Sequence, residues 1–174
     1  MTALAAVASY LPRRVPIASL RDQLGLSNPE LKVFLRYYGL SEVCREDEGT
    51  ITDLLLAAAR RLPELPGREH RIRYVLQART HPVVVPYPVN PLHEVAERLG
   101  LSHAVCFAVT EHACASGLLA VDVAGRLLVD DGDPDALALI LTGEKTFTRG
   151  AKFIPRIGIM GYEVSAVGRG SRRP

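Results

Sequence analysis

The residues best suited to covalent chemistry surround Cys114, within the segment EHACASGLLAVD at positions 111–122. The thiol follows a strand-like apolar run and opens an apolar run of helical character. Unpaired N–H groups and the dipole at a helix N-terminus favour an anion, so this position predicts a thiol that ionises readily. Such a thiol can attack an acyl thioester, and its own backbone N–H can serve as one oxyanion donor.

Small residues flank this thiol and leave space for a substrate carbonyl, so Ala113 and Gly117 are predicted substrate contacts. The alternative is that Cys114 is a small core residue, as free cysteines commonly are. His112 lies two residues before the thiol, where side chains need not face one another, and its role as a base stays open. Cys44 and Cys106 are expected to be structural.

The strands that must position the thiol are continuous apolar runs, which are typical of strands covered on both faces. They are predicted at residues 3–9, 71–78, 104–110, 136–143 and 162–170. Helical patterns alternate with them and are predicted at residues 16–26, 27–40, 50–62, 91–101 and 115–130. This alternation predicts one α/β layered domain over residues 1–174, with a mixed, mostly parallel sheet. The last residues, about 171–174, are expected to be a frayed tail.

The composition is that of a globular protein without a strongly charged surface. Of the 174 residues, 48% are hydrophobic and 23% are charged, and the formal net charge is +2. This balance predicts neither nucleic-acid nor membrane binding. The apolar opening is too short to span a bilayer, and an odd number of cysteines without motif spacing favours a reduced, cytoplasmic protein. The acidic run DDGDPD at 130–135 lacks the distal glutamate of a calcium loop, so a capped turn and no metal site are expected.

The segment VTEHACASGLLAVDVA resembles the nucleophile segment of the ketoacyl-acyl carrier protein synthase III family, which has the thiolase fold. Other segments follow in that family's order: VASYLPRRVPIASL, FLRYYGLSEVCR, VPYPVNPLHEVAERLGL and LILTGEKTFTRGAKFIPRIGIMGYEVSAVGRG. The resemblance covers nearly the whole chain and rests on order and spacing more than on any single motif. It implies a thiolase-like N-terminal half-domain, with a five-stranded sheet covered by helices on both faces, in which Cys114 is the acyl-accepting nucleophile.

Members of that family consist of two similar halves, and the second half supplies a histidine and an asparagine that activate the acceptor. None of the five histidines of this chain matches that catalytic position. The resemblance therefore implies a complementing polypeptide that carries the histidine and the asparagine, and hence a hetero-oligomer. The predicted helix at 115–130 is apolar on nearly every side, which predicts that it is covered on every side.

Departures from the family pattern bear on the acyl donor. The family often holds coenzyme A with a tryptophan and an arginine, but those positions fall at Val33 and Tyr37, and this chain has no tryptophan. The donor is therefore expected to be bound to an acyl carrier protein, whose acidic surface could meet the arginines of this chain, and no cofactor is expected. Tyr162 replaces the family's usual aspartate. Tyr87 lies near the family's aromatic gate and either lines an acyl pocket or anchors a rigid loop between two prolines.

Three functions follow from these observations. The first is a split acyltransferase subunit, in which Cys114 takes an acyl group from a carrier-protein or coenzyme A thioester for transfer or decarboxylative condensation. Polyketide or other secondary metabolism is favoured over housekeeping fatty acid synthesis because the departures from the family pattern are large. The second function is a non-catalytic structural partner in a ketosynthase-like complex. The third is a truncated chain that self-associates, since the two halves of the thiolase fold are topologically alike.

Overall fold

The computed structural model describes residues 2–80 and 88–144 and the backbone of residues 164–171. The strands are β1 (Thr2–Tyr10), β2 (Arg14–Pro16), β3 (Glu42–Cys44), β4 (Ile72–Ala78), β5 (Val105–Val109), β6 (Leu137–Thr142) and β7 (Val164–Ser171). The α-helices are α1 (Asn28–Arg36), α2 (Ile51–Ala59), α3 (Pro91–Arg98) and α4 (Ser116–Asp131). These described residues form two compact units, a larger one of residues 2–10, 50–80, 88–144 and 164–171 and a smaller one of residues 11–49. The interpretation of the whole chain as one half-domain stays a prediction.

The larger unit is built on a five-stranded sheet with the strand order β1-β7-β6-β4-β5. The central strand β4 pairs in parallel with both β5 and β6, whereas β7 pairs antiparallel with β6 and with β1. Four strands therefore run in one direction and only β7 runs in the other, which confirms the predicted mixed, mostly parallel sheet. Ala78 is in register with Val109 and with Thr142, so the carboxyl ends of β4, β5 and β6 lie side by side.

Helices cover both faces of this sheet, as predicted, because alternate residues of the buried strands point to opposite sides. Val75 of β4 and Leu139 of β6 belong to a buried cluster with residues of α2 and α3. Leu76 of β4 and Ile140 of β6 belong to the opposite cluster, together with Ala120, Ala124 and Leu128 of α4. A strand with apolar residues at every position thus faces two helical layers, which explains why these segments read as continuous apolar runs.

Side chains cap the N-termini of three helices. Ser27 and Glu30 form a capping box at α1, and Thr50 and Asp53 form one at α2. The side chain of Asn90 accepts a hydrogen bond from the N–H of Leu92 at the start of α3. These local partners satisfy N–H groups that have no acceptor within the helix, so the sequence specifies where each helix begins.

The smaller unit contains a correction to the sequence-based prediction, because residues 16–26 do not form an α-helix. The segment enters as β2, which pairs antiparallel with β3, and the N–H of Ile17 donates to the Ser41 carbonyl at 2.9 Å. Only a short 3₁₀-helix (Ile17–Leu20) follows, and Gly25 adopts the left-handed conformation with φ 65°. Pairing with β3, a contact distant in sequence, therefore prevails over the local helical pattern.

The last strand extends further than predicted, and the turn after α4 has the predicted form. Ser171 lies in β7 and is in register with Thr2, although it was expected in the frayed tail; residues 172–174 and Tyr162 lie outside the described residues. The capped turn after α4 is confirmed, because the N–H of Asp135 donates to the Asp133 side chain at 2.9 Å. Gly132 ends α4 with φ 77°.

Candidate active site

Cys114 lies in the connection between β5 and α4, at the carboxyl edge of the three parallel strands. β5 ends at Val109 and α4 begins at Ser116, and Cys114 occupies a single 3₁₀ turn (Ala113–Ala115) between them. The thiol therefore lies just before the α-helix rather than in its first turn. Cys114 is exposed, so the alternative that it is a small core residue is wrong.

The backbone around this thiol is held in an uncommon conformation. Glu111 has φ 71° and Ala113 has φ 45°, and both values lie in the left-handed region, which residues other than glycine rarely adopt. Each such residue costs about 1–2 kcal/mol. The N–H of Ala115 donates to the His112 carbonyl at 2.9 Å, which closes the turn. Unfavourable conformations of this kind persist where the surrounding structure imposes them, and they are common at functional sites.

The N-terminus of α4 offers hydrogen-bond donors near the thiol. Its first residue follows Ala115, which provides no side-chain cap, in contrast to the three capped helices. Among the described residues, the backbone N–H of Cys114 also has no acceptor. N–H groups at the start of a 16-residue helix, together with its dipole, stabilise a negative charge nearby. The geometry thus places backbone hydrogen-bond donors at the turn that holds Cys114.

His112 is exposed and directed into its own turn. Its Nδ1 donates to the Thr110 carbonyl at 3.1 Å, since a carbonyl oxygen can only accept. Within the described part of the chain, no hydrogen bond joins His112 to Cys114. The structure therefore does not bring these two side chains together as a base and a nucleophile.

The predicted substrate contacts lie in different environments. Ala113 is exposed and adjoins Cys114, whereas Gly117 is half-buried. A Cβ built on Gly117 would lie 3.7 Å from Cγ2 of Thr142, an ordinary contact, so Gly117 lies against β6 and its small size is not sterically required. Tyr87 lies outside the described residues.

The other two cysteines differ from Cys114 in exposure. Cys44 and Cys106 are half-buried, and all three thiols are free. The Cys106 thiol on the edge strand β5 lies 3.5 Å from the Ala104 carbonyl, and burial raises its pKa. Because the thiolate is the reactive form, Cys106 is disfavoured as a nucleophile.

Sequence reasoning missed three polar residues near the strand ends. Ser116 is 2% exposed, and its hydroxyl has no hydrogen-bond partner among the described residues. Glu144 accepts a hydrogen bond from the N–H of Thr80. Burial lowers the pKa of Arg79, and the negative charge of Glu144 acts in the opposite direction. For Arg79 and Glu144 the available signal was position, since polar residues just after parallel strands collect at one edge of the sheet, whereas Ser116 carried no such signal.

Two structural features are absent from the described residues. No group of three or more His, Cys, Asp and Glu side chains there is arranged to hold a metal ion. Within the same residues, no helix combines the length and the apolar character that crossing a membrane requires.

Comparisons with known proteins place the fold. Neither a family profile nor a curated protein sequence matches this chain. Solved structures do: the acyltransferase ChlB3 superposes with a TM-score of 0.81 at 17% identity. The priming β-ketosynthase of the R1128 polyketide pathway gives 0.75 at 21% identity, and the β-ketoacyl-[acyl carrier protein] synthase III of Thermus thermophilus gives 0.71 at 22% identity.

These likenesses confirm the fold that the resemblance implied, that of the ketoacyl synthase III-like condensing enzymes. The three superpositions cover 98–99% of this chain but only 50–52% of the solved chains. The chain therefore spans about half the length of the structures that it matches, in agreement with one half of a thiolase-like fold.

Proposed function

We propose that this chain is the nucleophile-bearing subunit of a split acyltransferase similar to ketoacyl synthase III, with Cys114 as its catalytic residue. The observation that carries the proposal is the exposure of Cys114 in a strained turn just before an uncapped helix. Its fold is shared with solved ketosynthases and an acyltransferase, which supports acyl chemistry at this position. Acyl transfer needs the two features found here, an accessible nucleophile and donors for an oxyanion.

In the proposed reaction, the Cys114 thiolate attacks the carbonyl carbon of an acyl thioester, and a carbon–sulfur bond forms. Backbone N–H groups at the turn and the start of α4 stabilise the oxyanion of the tetrahedral intermediate. The intermediate collapses by breaking the bond to the donor's sulfur, which leaves as a thiolate and takes up a proton. The acyl group is then held on Cys114 as a thioester, ready for a nucleophilic acceptor.

We further propose that a complementing polypeptide supplies the histidine and the asparagine that activate this acceptor. The structure supports this division of labour in two ways. No described histidine forms a hydrogen bond with Cys114, and two apolar side chains of α4, Leu118 and Val129, are 77% and 64% exposed. Exposed apolar side chains on the helix that follows a nucleophile without a base are what a half-site would present to its other half.

The proposed donor is an acyl group on a carrier protein. Val33 of α1 and Tyr37 directly after it, which align with the family's coenzyme A contacts, are 47% and 81% exposed, and neither is the tryptophan or arginine of that family. Several arginines of this chain already form ion pairs with acidic side chains, such as Arg68 with Glu64. Arg60 is exposed and has no ion pair among the described residues, so its charge is available to an acidic carrier.

The proposal is tested by intact-mass spectrometry after incubation with acyl-carrier protein thioesters, with and without the product of the neighbouring reading frame. We expect an acyl adduct that disappears in Cys114→Ala and persists in the matched controls Cys44→Ala and Cys106→Ala. Addition of the complementing chain should then accelerate loss of the adduct to an acceptor. An adduct that survives Cys114→Ala would refute the assignment of the nucleophile.

The exposed face of α4 also fits the second function, that of a structural partner in a ketosynthase-like complex. That function predicts a stable complex in which Cys114 never becomes acylated. The same experiment separates the two, because a complex that forms without any adduct favours the structural role.

A further inference from the structure

The exposed side of α4 carries an ordered pattern of residue types. Leu118, Asp122, Arg126 and Val129 recur at intervals of three or four residues, so they lie in one stripe along the helix. Leu118 and Val129 are 77% and 64% exposed, and Asp122 and Arg126 are joined by an ion pair at 2.9 Å within the stripe. The stripe therefore has an apolar residue at each end and one charge of each sign in its centre.

At the β1 edge of the sheet, the face beside this stripe is also exposed. Ala6, Ala8 and Tyr10 of β1 pack toward α2 and α3, so Val7 between them points to the side of α4. Val7 is 58% exposed. A groove of about 820 Å³ includes three residues of the stripe, Asp122, Arg126 and Val129, and is completed by Thr2, Gly125, Leu127 and Asp130. The groove therefore extends from the stripe on α4 to the start of β1.

The order of residue types along the stripe makes the stripe complementary to the same stripe on a second copy of the chain. Asp122 and Arg126 lie two residues to either side of Ala124, whereas Leu118 and Val129 lie six residues before it and five residues after it. When two copies of α4 pack antiparallel through their exposed stripes, with the two-fold axis at the level of Ala124 along the helix, Asp122 of each copy meets Arg126 of the other. Leu118 of each copy then meets Val129 of the other. A two-fold contact requires this kind of pattern, since the same patch must serve both partners.

We propose that, without a complementing subunit, a second copy of this chain occupies the exposed α4 face in an antiparallel two-fold dimer. The occupant is assigned by charge and apolar complementarity along α4. This inference goes beyond the proposed function, because it holds whether or not Cys114 is acylated. It also has a functional consequence: a complementing subunit that covers the same face must displace the second copy.

The test is the mass in solution of the full chain, measured by light scattering or sedimentation across a range of concentrations. The wild type should approach twice its monomer mass of 18.9 kDa. Asp122→Arg places two arginines opposite two arginines, and Arg126→Asp places two aspartates opposite two aspartates. Because like charges in contact oppose association, each variant should raise the dimer dissociation constant about tenfold or more. Glu97→Arg, an exposed change on α3 at the other face of the sheet, should leave it unchanged.

Two combinations distinguish lost pairing from lost folding. Mixing the Asp122→Arg chain with the Arg126→Asp chain should produce a mixed dimer, because opposite charges again meet. The charge-swapped double variant Asp122→Arg/Arg126→Asp should dimerise like the wild type. A wild-type monomer at all concentrations would overturn the proposal, as would a dimer that neither single change weakens, which would indicate a different face. Cys114→Ala should dimerise normally, so failure of this inference is distinct from failure of the acyl-transfer proposal.

Discussion

Glu144 and Thr80 join the carboxyl ends of two neighbouring parallel strands. The carboxylate of Glu144, two residues after β6, accepts a hydrogen bond from the backbone N–H of Thr80, two residues after β4. Arg79 lies between Thr80 and the end of β4, and the Glu144 charge opposes the effect of burial on its guanidinium. One acidic side chain thus satisfies a backbone donor and favours a half-buried cation, beside the strands that position Cys114.

Removing this acidic side chain should loosen the strand ends. Glu144→Ala leaves the Thr80 N–H and Arg79 without their acceptor and counter-charge, and we expect it to lower the free energy of unfolding by about 1–3 kcal/mol. Glu144→Gln keeps an acceptor oxygen and should cost less. Urea unfolding of both variants measures the difference, and equal stability of the alanine variant and the wild type would contradict the role assigned to Glu144.

The left-handed conformation of Ala113 predicts that two substitutions at this position change the free energy of unfolding in opposite directions. Ala113 has φ 45°, so Ala113→Gly should raise the free energy of unfolding, by up to about 1 kcal/mol. Ala113→Val should lower it by about 1–3 kcal/mol, because a β-branched side chain fits this conformation poorly. Thermal unfolding monitored by circular dichroism gives both values. If valine and glycine behaved alike, the turn would not hold Ala113 in this conformation.

The capping box of α2 predicts a specific loss of stability in acid. Hydrogen bonds from the Thr50 backbone N–H and hydroxyl, and then from Arg98 at 3.0 Å, hold the pKa of Asp53 below its usual value of 3.8. The folded state therefore binds fewer protons than the unfolded state between these two values. The contribution is fully present above about pH 4 and is lost as the pH falls through the folded-state pKa.

Asp53→Asn tests this linkage, because asparagine can accept the capping hydrogen bonds but does not titrate. We expect the variant to be less stable than the wild type at neutral pH and to lose less stability between neutral and acidic pH. Unfolding curves measured at several pH values give the two slopes. A wild type and a variant with the same dependence on pH would show that Asp53 contributes nothing to the acid transition.

The sequence predicted the helices and strands that are specified by neighbouring residues or by continuous burial. The prediction failed where a contact distant in sequence determines the secondary structure. The capping residues Ser27 and Thr50 and the apolar runs of β4 and β6 carry their own signals, so their helices and strands were found. Residues 16–26 have a helical pattern, but the pairing of β2 with β3 prevents an α-helix there. The neighbouring residues do not indicate this pairing.

The candidate site shows the same division. Cys114 could be identified because its position between a strand and an apolar helix is visible in the order of residues. The link between Glu144 and Thr80 joins positions 64 residues apart, and the burial of Ser116 without a partner depends on how α4 lies on the sheet. Neither property is encoded in the neighbouring residues, so each required the folded chain.

The exposures of the three thiols predict an order of modification by iodoacetamide. Cys114 is exposed, whereas Cys44 and Cys106 are half-buried and burial raises the pKa of Cys106. Since the thiolate is the form that reacts, Cys114 should be alkylated first and Cys106 should be much slower at neutral pH. Peptide mapping by mass spectrometry over a time course gives the three rates, and Cys114→Ala should lack the earliest adduct. Cys106 labelled as fast as Cys114 would mean that the edge strand opens readily and that exposure does not single out Cys114 as the reactive thiol.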